Sequence, residues 1–188
     1  MRPAEVEKLR AALAAEDWDA AERVLRRAVA RKDAAAADFY NLGLVLVRQG
    51  REAQAETMLR RALARDASHA DAWCELGALL LRRHDLAAGE GALARAAALR
   101  PGDAVVRRDL ARVRLRLGLW EAAARDWAAF PGDAEADAAL LRIALETGAA
   151  DAPDRRRAMA AVPARRAHLL KAITRTGRGK LPLRPGDL

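Results

Sequence analysis

One cysteine, one serine, three histidines, four lysines and only 4% aromatic residues occur in this 188-residue chain, and each shortage closes off a class of chemistry. With Cys74 alone, no disulfide can form within the chain, which fits a reducing compartment. Ser68 is the only serine, and its neighbour His69 shares a turn with it, where adjacent side chains rarely aim at each other. The histidines His69, His84 and His168 are too far apart in sequence to give metal-ligand spacing. No Gly-x-x-x-x-Gly-Lys or Gly-x-Gly-x-x-Gly phosphate loop is present. Gly177-Arg178-Gly179-Lys180 has the right residue types but neither a strand before it nor a helix after it. The longest apolar stretch, Leu42 to Val47, is far too short to span a bilayer, and the first residues lack the apolar core of a signal peptide. A soluble, cytoplasmic, non-enzymatic protein with no metal or cofactor is expected.

What is abundant is alanine, which supplies most of the 52% hydrophobic content. Alanine is the best helix former, whereas a sheet protein would need more β-branched and aromatic residues; the fold class expected is all-α. The preference for arginine over lysine is the composition of a GC-rich bacterial genome. Charge is uneven along the chain. Residues 1–150 carry 24 basic and 23 acidic side chains, while residues 151–188 carry 10 and 3. Of the net charge of +8, +7 therefore belongs to the C-terminal segment, which is suited to nucleic acid, an anionic surface or an acidic protein.

A pattern recurs every 34 residues. Small residues stand at Ala21, Ala55, Gly89 and Ala123; four places on come Leu25, Leu59, Leu93 and Trp127; three further come Ala28, Ala62, Ala96 and Phe130. Phe39-x-x-Leu42-Gly43 and Trp73-x-x-Leu76-Gly77 precede the two middle copies, and Pro101 closes the second. A repeat of this length predicts stacked helix pairs. In residues 36–69 the first helix is expected from about Ala37 to Arg48, with the turn at Gly50 and the second helix from about Glu52 to Arg65. Residues 70–103 repeat the plan, with Asp71 as a candidate N-cap and a turn at His84-Asp85. The flanking units are worn: residues 2–35 keep mainly the second-helix marks, and Pro131-Gly132-Asp133 shortens the unit that begins at residue 104. A further helix is expected over about Glu135 to Thr147, then a loop through Pro153, a helix from about Arg155, and a short amphipathic piece over Ala164 to Ile173.

These residues resemble the tetratricopeptide repeat family, most clearly over residues 36–103 and by extension over 2–35 and 104–148. The resemblance implies a right-handed α-solenoid of antiparallel helix pairs, with three to four repeats plus capping helices. The repeat array is expected over residues 2–148 (units about 2–35, 36–69, 70–103 and 104–133, then one more helix). Capping helices follow over 149–173 and a basic flexible tail over 174–188. Small marks such as Gly43, Ala55, Gly77 and Gly89 let paired helices approach; large marks such as Phe39, Trp73, Leu59 and Leu93 fill the space between neighbouring pairs.

The family's concave groove, lined by the first helix of each pair, implies three rungs of partner-binding candidates. The first is Tyr40, Leu44, Val47 and Arg48. The second is Asp71, Cys74, Ala78, Leu81 and Arg82. The third is Arg108, Arg112, Leu115 and Arg116, whose arginines fall four apart on one helix face. An apolar floor leading into an arginine ladder suits a protein or peptide partner with apolar anchors and acidic groups. Ordinary solvation of an exposed helix face accounts for the same arginines equally well. The carboxylate clamp of one family subclass is absent, since its positions correspond here to Tyr40, Leu44, Glu75, Val105 and Asp109. The expected function is a non-enzymatic scaffold, adaptor or chaperone that binds a partner segment in this groove. The alternative is a nucleic-acid or anionic-surface binder acting through the basic C-terminal segment.

Overall fold

The computed structural model describes residues 2–176. Among these, eleven α-helices and one 3₁₀ turn occur and no strand. The chain divides into two compact units after Val106, each described by itself.

In the first unit, α1 (Pro3–Ala14) pairs with α2 (Trp18–Val29), α3 (Ala36–Arg48) with α4 (Glu52–Arg65), and α5 (Ala70–Arg82) with α6 (Leu86–Leu99). Successive pairs join through contacts of α2 with α3 and of α4 with α5. Helix starts are fixed by side chains that accept otherwise orphaned backbone N–H groups: Asp17 accepts from Ala20 and Asp85 from Ala88. At α5 the cap is His69, whose Nδ1 accepts from the Ala72 N–H at 3.2 Å. Asp71, the expected cap, lies inside the helix, where it accepts two hydrogen bonds of 2.6 Å from the Arg100 guanidinium. The turn between α3 and α4 is made at Gly50, whose φ of +73° lies in the left-handed region that glycine enters without strain.

The 34-residue marks form the core. Ala21, Leu25, Phe39, Leu42, Ala55, Leu59 and Ala62 are all buried, in one cluster spanning α1–α5 and another spanning α3–α6. Trp73 is only half-buried, its indole N–H donating to the Ala67 carbonyl at 2.9 Å. Within a pair the closest approach falls where side chains are missing. A Cβ on Gly77 would stand 2.9 Å from Leu93 Cγ, and one on Gly89 would stand 2.6 Å from Leu81 Cδ2.

Two sets of arginine contacts recur in this unit. At the end of each second helix, an arginine returns to the start of its own pair. Arg31 reaches Glu5, Arg65 donates to the Ala34 carbonyl at 2.9 Å, and Arg100 holds Asp71. At the turn inside a pair, another arginine reaches back to the preceding second helix. Arg51 holds Glu22 at 2.6 Å, Arg82 holds Glu52 at 3.0 Å, and Arg83 holds the buried Glu56. Burial raises the affinity of Glu22 for a proton, but hydrogen bonds from Arg26, Gln49 and Arg51 outweigh it and hold the carboxyl below its ordinary range.

The helix α7 (Ala104–Leu117) crosses the division. The second unit continues with α8 (Trp120–Trp127), α9 (Ala134–Thr147), α10 (Ala152–Ala160), a 3₁₀ turn (Pro163–Arg165) and α11 (Arg166–Thr174). Pro153 lies within the first turn of α10 rather than in a loop, because a proline there forfeits only an N–H that has no helical acceptor. Ala111, Ala123, Trp127, Ala136 and Ile143 share one cluster; Leu141, Met159, Leu169 and Ile173 share another. Arg165 makes the same kind of return as in the first unit, pairing with Asp137 and donating to the Gly132 carbonyl at 3.0 Å. Of the tail expected over 174–188, the part from residue 177 on lies outside the described residues, as does Gly177-Arg178-Gly179-Lys180.

Close approach at Gly77 gives a paired prediction. Gly77→Ala should destabilise the fold by about 1–3 kcal/mol through overpacking against Leu93. Gly91→Ala, on the exposed face of α6 with nothing within 4 Å of the added methyl, should stabilise it by about 0.5–1 kcal/mol. Urea unfolding of the two variants checks both; equal effects would remove the close-packing explanation.

Candidate functional site

The expected groove residues fall into two separate sets, one in each unit. In the first unit, α3 and α5 share the buried residues Val45, Leu46 and Leu79 on one side of their contact and Phe39, Leu76 and Leu80 on the other. Tyr40, Leu44, Cys74 and Ala78 are half-buried, and Arg48 is exposed. Arg48 makes no hydrogen bond or ion pair to any described residue, and Glu75 has no salt-bridge partner among them. Three other candidates turn towards the protein. Val47 packs on the cluster around Leu25 and Leu46, Leu81 covers Gly89 in α6, and Arg82 pairs with Glu52 in α4.

Tyr40 ties the two helices together. Its ring lies 4.6 Å from that of His69. Burial first, and then the negative charge of Asp71 and Glu75, pushes its phenol from 10.0 up to about 12. The Cys74 thiol is likewise pushed up, by burial and then by Asp103 and Asp71; thiolate, the nucleophilic form, is disfavoured there. Asp71 itself is held below the ordinary carboxylate range by the hydrogen bonds from Arg100. Ser68 and His69 do not address each other: the Ser68 hydroxyl donates to Asp66 at 2.5 Å, while His69 caps α5.

In the second unit the arginine ladder is already engaged. Arg108 donates to Asp133 at 3.0 Å and lies 4.5 Å from the centre of the Phe130 ring. Arg112 grips Glu135 with two hydrogen bonds of 2.8 and 2.6 Å and also reaches Asp109. The Glu135 hydrogen bonds raise the pKa of Arg112 further, and those from Arg112 lower that of Glu135. Two rungs of the ladder thus bind the first turn of α9. Arg116, on the exposed side of α7, pairs with no described residue. Leu115 lies against the cluster around Trp127. The short unit explains this: Pro131-Gly132 ends α8 early and brings Asp133 and Glu135 within reach of α7.

Several basic side chains of the C-terminal segment are also occupied. Arg155 pairs with Asp151, Arg157 with Asp154 and Arg165 with Asp137. Sequence reading missed these destinations, and it missed the return arginines as well. The near-34 spacing of Arg31, Arg65 and Arg100, and the 34-residue interval between Glu22 and Glu56, carried the signal.

Helix pairs built on a 34-residue interval and closed at small residues define a helical-repeat protein. A sequence profile of the tetratricopeptide repeat matches residues 6–55 and 40–104, together more than half of the chain. The chain belongs to the tetratricopeptide repeat family. No curated protein matches its sequence. Among solved structures it is similar to YrrB, described as a tetratricopeptide repeat protein with an unusual peptide-binding site, at 20% identity and a TM-score of 0.72, covering 87% of each chain. It is also similar to a MamA protein at 18% identity, with a TM-score of 0.69 and 96% of each chain covered. A third is MamA from Desulfovibrio magneticus RS-1, at 17% identity and a TM-score of 0.66, with 90% of this chain and 92% of that one covered. These likenesses show the fold. Among the described residues, no helix is long and apolar enough to cross a membrane.

Tyr40 is the only tyrosine, so its titration can be read directly. Its phenol stays protonated in the folded chain up to about 12, whereas the unfolded chain releases the proton near 10.0. The unfolded state then binds fewer protons, and stability falls as pH rises through that window. Near-ultraviolet absorbance should show late ionisation that disappears in Tyr40→Phe. A titration at the ordinary tyrosine value would contradict the packing described for Tyr40.

Proposed function

We propose that this chain is a non-enzymatic interaction scaffold, an adaptor or chaperone, that holds a peptide or helix of a partner protein on the face formed by α3 and α5. The observation that carries this is the set of residues left over after packing. Leu44 and Ala78 offer a partly exposed apolar surface, and Arg48 and Glu75, of opposite charge, form no ion pair with any described residue. Such a surface suits a mostly apolar segment with one acidic and one basic contact. A cytoplasmic location and a bacterial source fit the composition. The alternative, anion binding by the basic segment as a whole, draws less support, because Arg155, Arg157 and Arg165 already hold carboxylates.

The engagement of Arg108 and Arg112 changes which variants test this reading. Reversing either charge would set like charges against Asp133 and Glu135 and disturb the fold. Leu44→Glu combined with Ala78→Arg instead changes the α3–α5 face alone. Affinity capture from the native cell should then recover its main partner at least tenfold less well than wild type, with the helical circular dichroism spectrum and thermal midpoint kept. Equal recovery by the variant would reject the α3–α5 face.

A further inference from the structure

A cavity of about 360 Å3 opens between α7, α9 and α11, wholly within the second unit. Its wall is strongly basic: Arg116, Arg142, Lys171 and Arg175 line it together with Arg112, against the single carboxylate of Glu135. Glu135 is taken up by Arg112 and Arg108, so the positive charge of the others is not cancelled within the wall. Counter-charge has to come from outside.

A second, independent observation points the same way. Three buried side-chain nitrogens have no hydrogen-bond partner: Trp127 Nε1, Arg142 Nε and His168 Nδ1. All three residues line this cavity. Trp127 is 1% exposed, and an orphaned donor at that depth is disfavoured unless something occupies it. The repeat shows that the donor is a departure from the packing rule. The equivalent positions are Leu25, Leu59 and Leu93, which fill the core with no polar atom. Tryptophan fills that space too, but it borders the cavity and carries an N–H that packing leaves unpaired. The rest of the wall is apolar, with Leu115 from α7, Ala138 and Ala139 from α9 and Ala172 from α11.

We propose that this cavity binds a carboxylate carried on a short apolar stem. The oxygens would accept from the exposed cations Arg116, Lys171 and Arg175 on the wall, and the stem would lie on the alanines and Leu115 beside the Trp127 ring. A carboxylate accepts several hydrogen bonds in one plane, and guanidinium groups match it. A bare inorganic oxyanion would leave the apolar wall uncovered. The volume is within the range of small-ligand sites. Two sources share this chemistry: a free organic acid, and the last residue of a partner's chain. The site does not rest on capture at the α3–α5 face.

The test follows the indole N–H signals of the full-length ¹⁵N-labelled protein by NMR, with Trp127 assigned through Trp127→Phe. Hexanoate should shift the Trp127 signal saturably, and hexanamide, of the same shape without the charge, should not. A short peptide ending in a free leucine carboxylate is compared with its C-terminal amide. Tighter binding of the peptide acid than of hexanoate supports a chain end as the source; the reverse order supports a free acid. Lys171→Glu with Arg175→Glu, both at exposed positions, should leave the fold intact and weaken binding of either acid at least tenfold. No saturable shift with either acid, an equal shift with the amides, or wild-type affinity in the charge variant would overturn the site. A response to inorganic phosphate equal to that for hexanoate would overturn the role of the apolar stem.

Discussion

Contact between the two helices of a pair is the constraint on which the rest of this structure depends, and it is met by side chains that are absent. At Gly77 and Gly89 a methyl group would intrude on Leu93 and Leu81. At Ala55, Ala62 and Ala96, fully buried, only a methyl fits. With the backbones this close, leucines and Phe39 can fill the space between neighbouring pairs, and an alanine-rich chain with few aromatics can still bury a packed core in the first unit.

Once the pairs are closed, charge decides which surfaces remain available. Arginines reach across the helix ends to carboxylates or carbonyls, and those contacts set which faces are fastened and which are left. Most such pairs are partly exposed, so each adds little stability on its own. Their consequence is positional. Arg100 occupies Asp71 and Arg112 occupies Glu135, while the α3–α5 face keeps the half-buried Leu44 and Ala78 beside Arg48 and Glu75, which have no ion-pair partner among the described residues. In the second unit the same logic isolates the basic cavity near Trp127, whose cations outnumber their internal partners.

Much of the fold was legible because it depends on spacing. The interval of 34 residues identifies helix pairs, Gly50 marks a left-handed turn, and the small marks identify close contacts; all of these are local or periodic properties. The destinations of long side chains were not legible. Arg108 and Arg112 fall on one helix face as their spacing requires, but their partners lie 23 to 27 residues away and come within reach only through the early break at Pro131. The family resemblance implies Leu81 as groove-lining, yet the space left by Gly89 draws it into the pair. His69 took the capping role from Asp71 because Arg100, at the far end of the pair, claims that carboxylate. The indole N–H of Trp127 gave no sign in a position that reads simply as a large core residue.

The proposed scaffold role places partner contact on the α3–α5 face. Hydrogen exchange measured on the chain alone and with its captured partner bound tests this most directly. Binding should slow exchange in α3 and α5, at Leu44 to Arg48 and Cys74 to Ala78, and leave α2, α4 and α6 unchanged. Protection confined to α2, α4 and α6, with α3 and α5 exchanging as in the free chain, would contradict it.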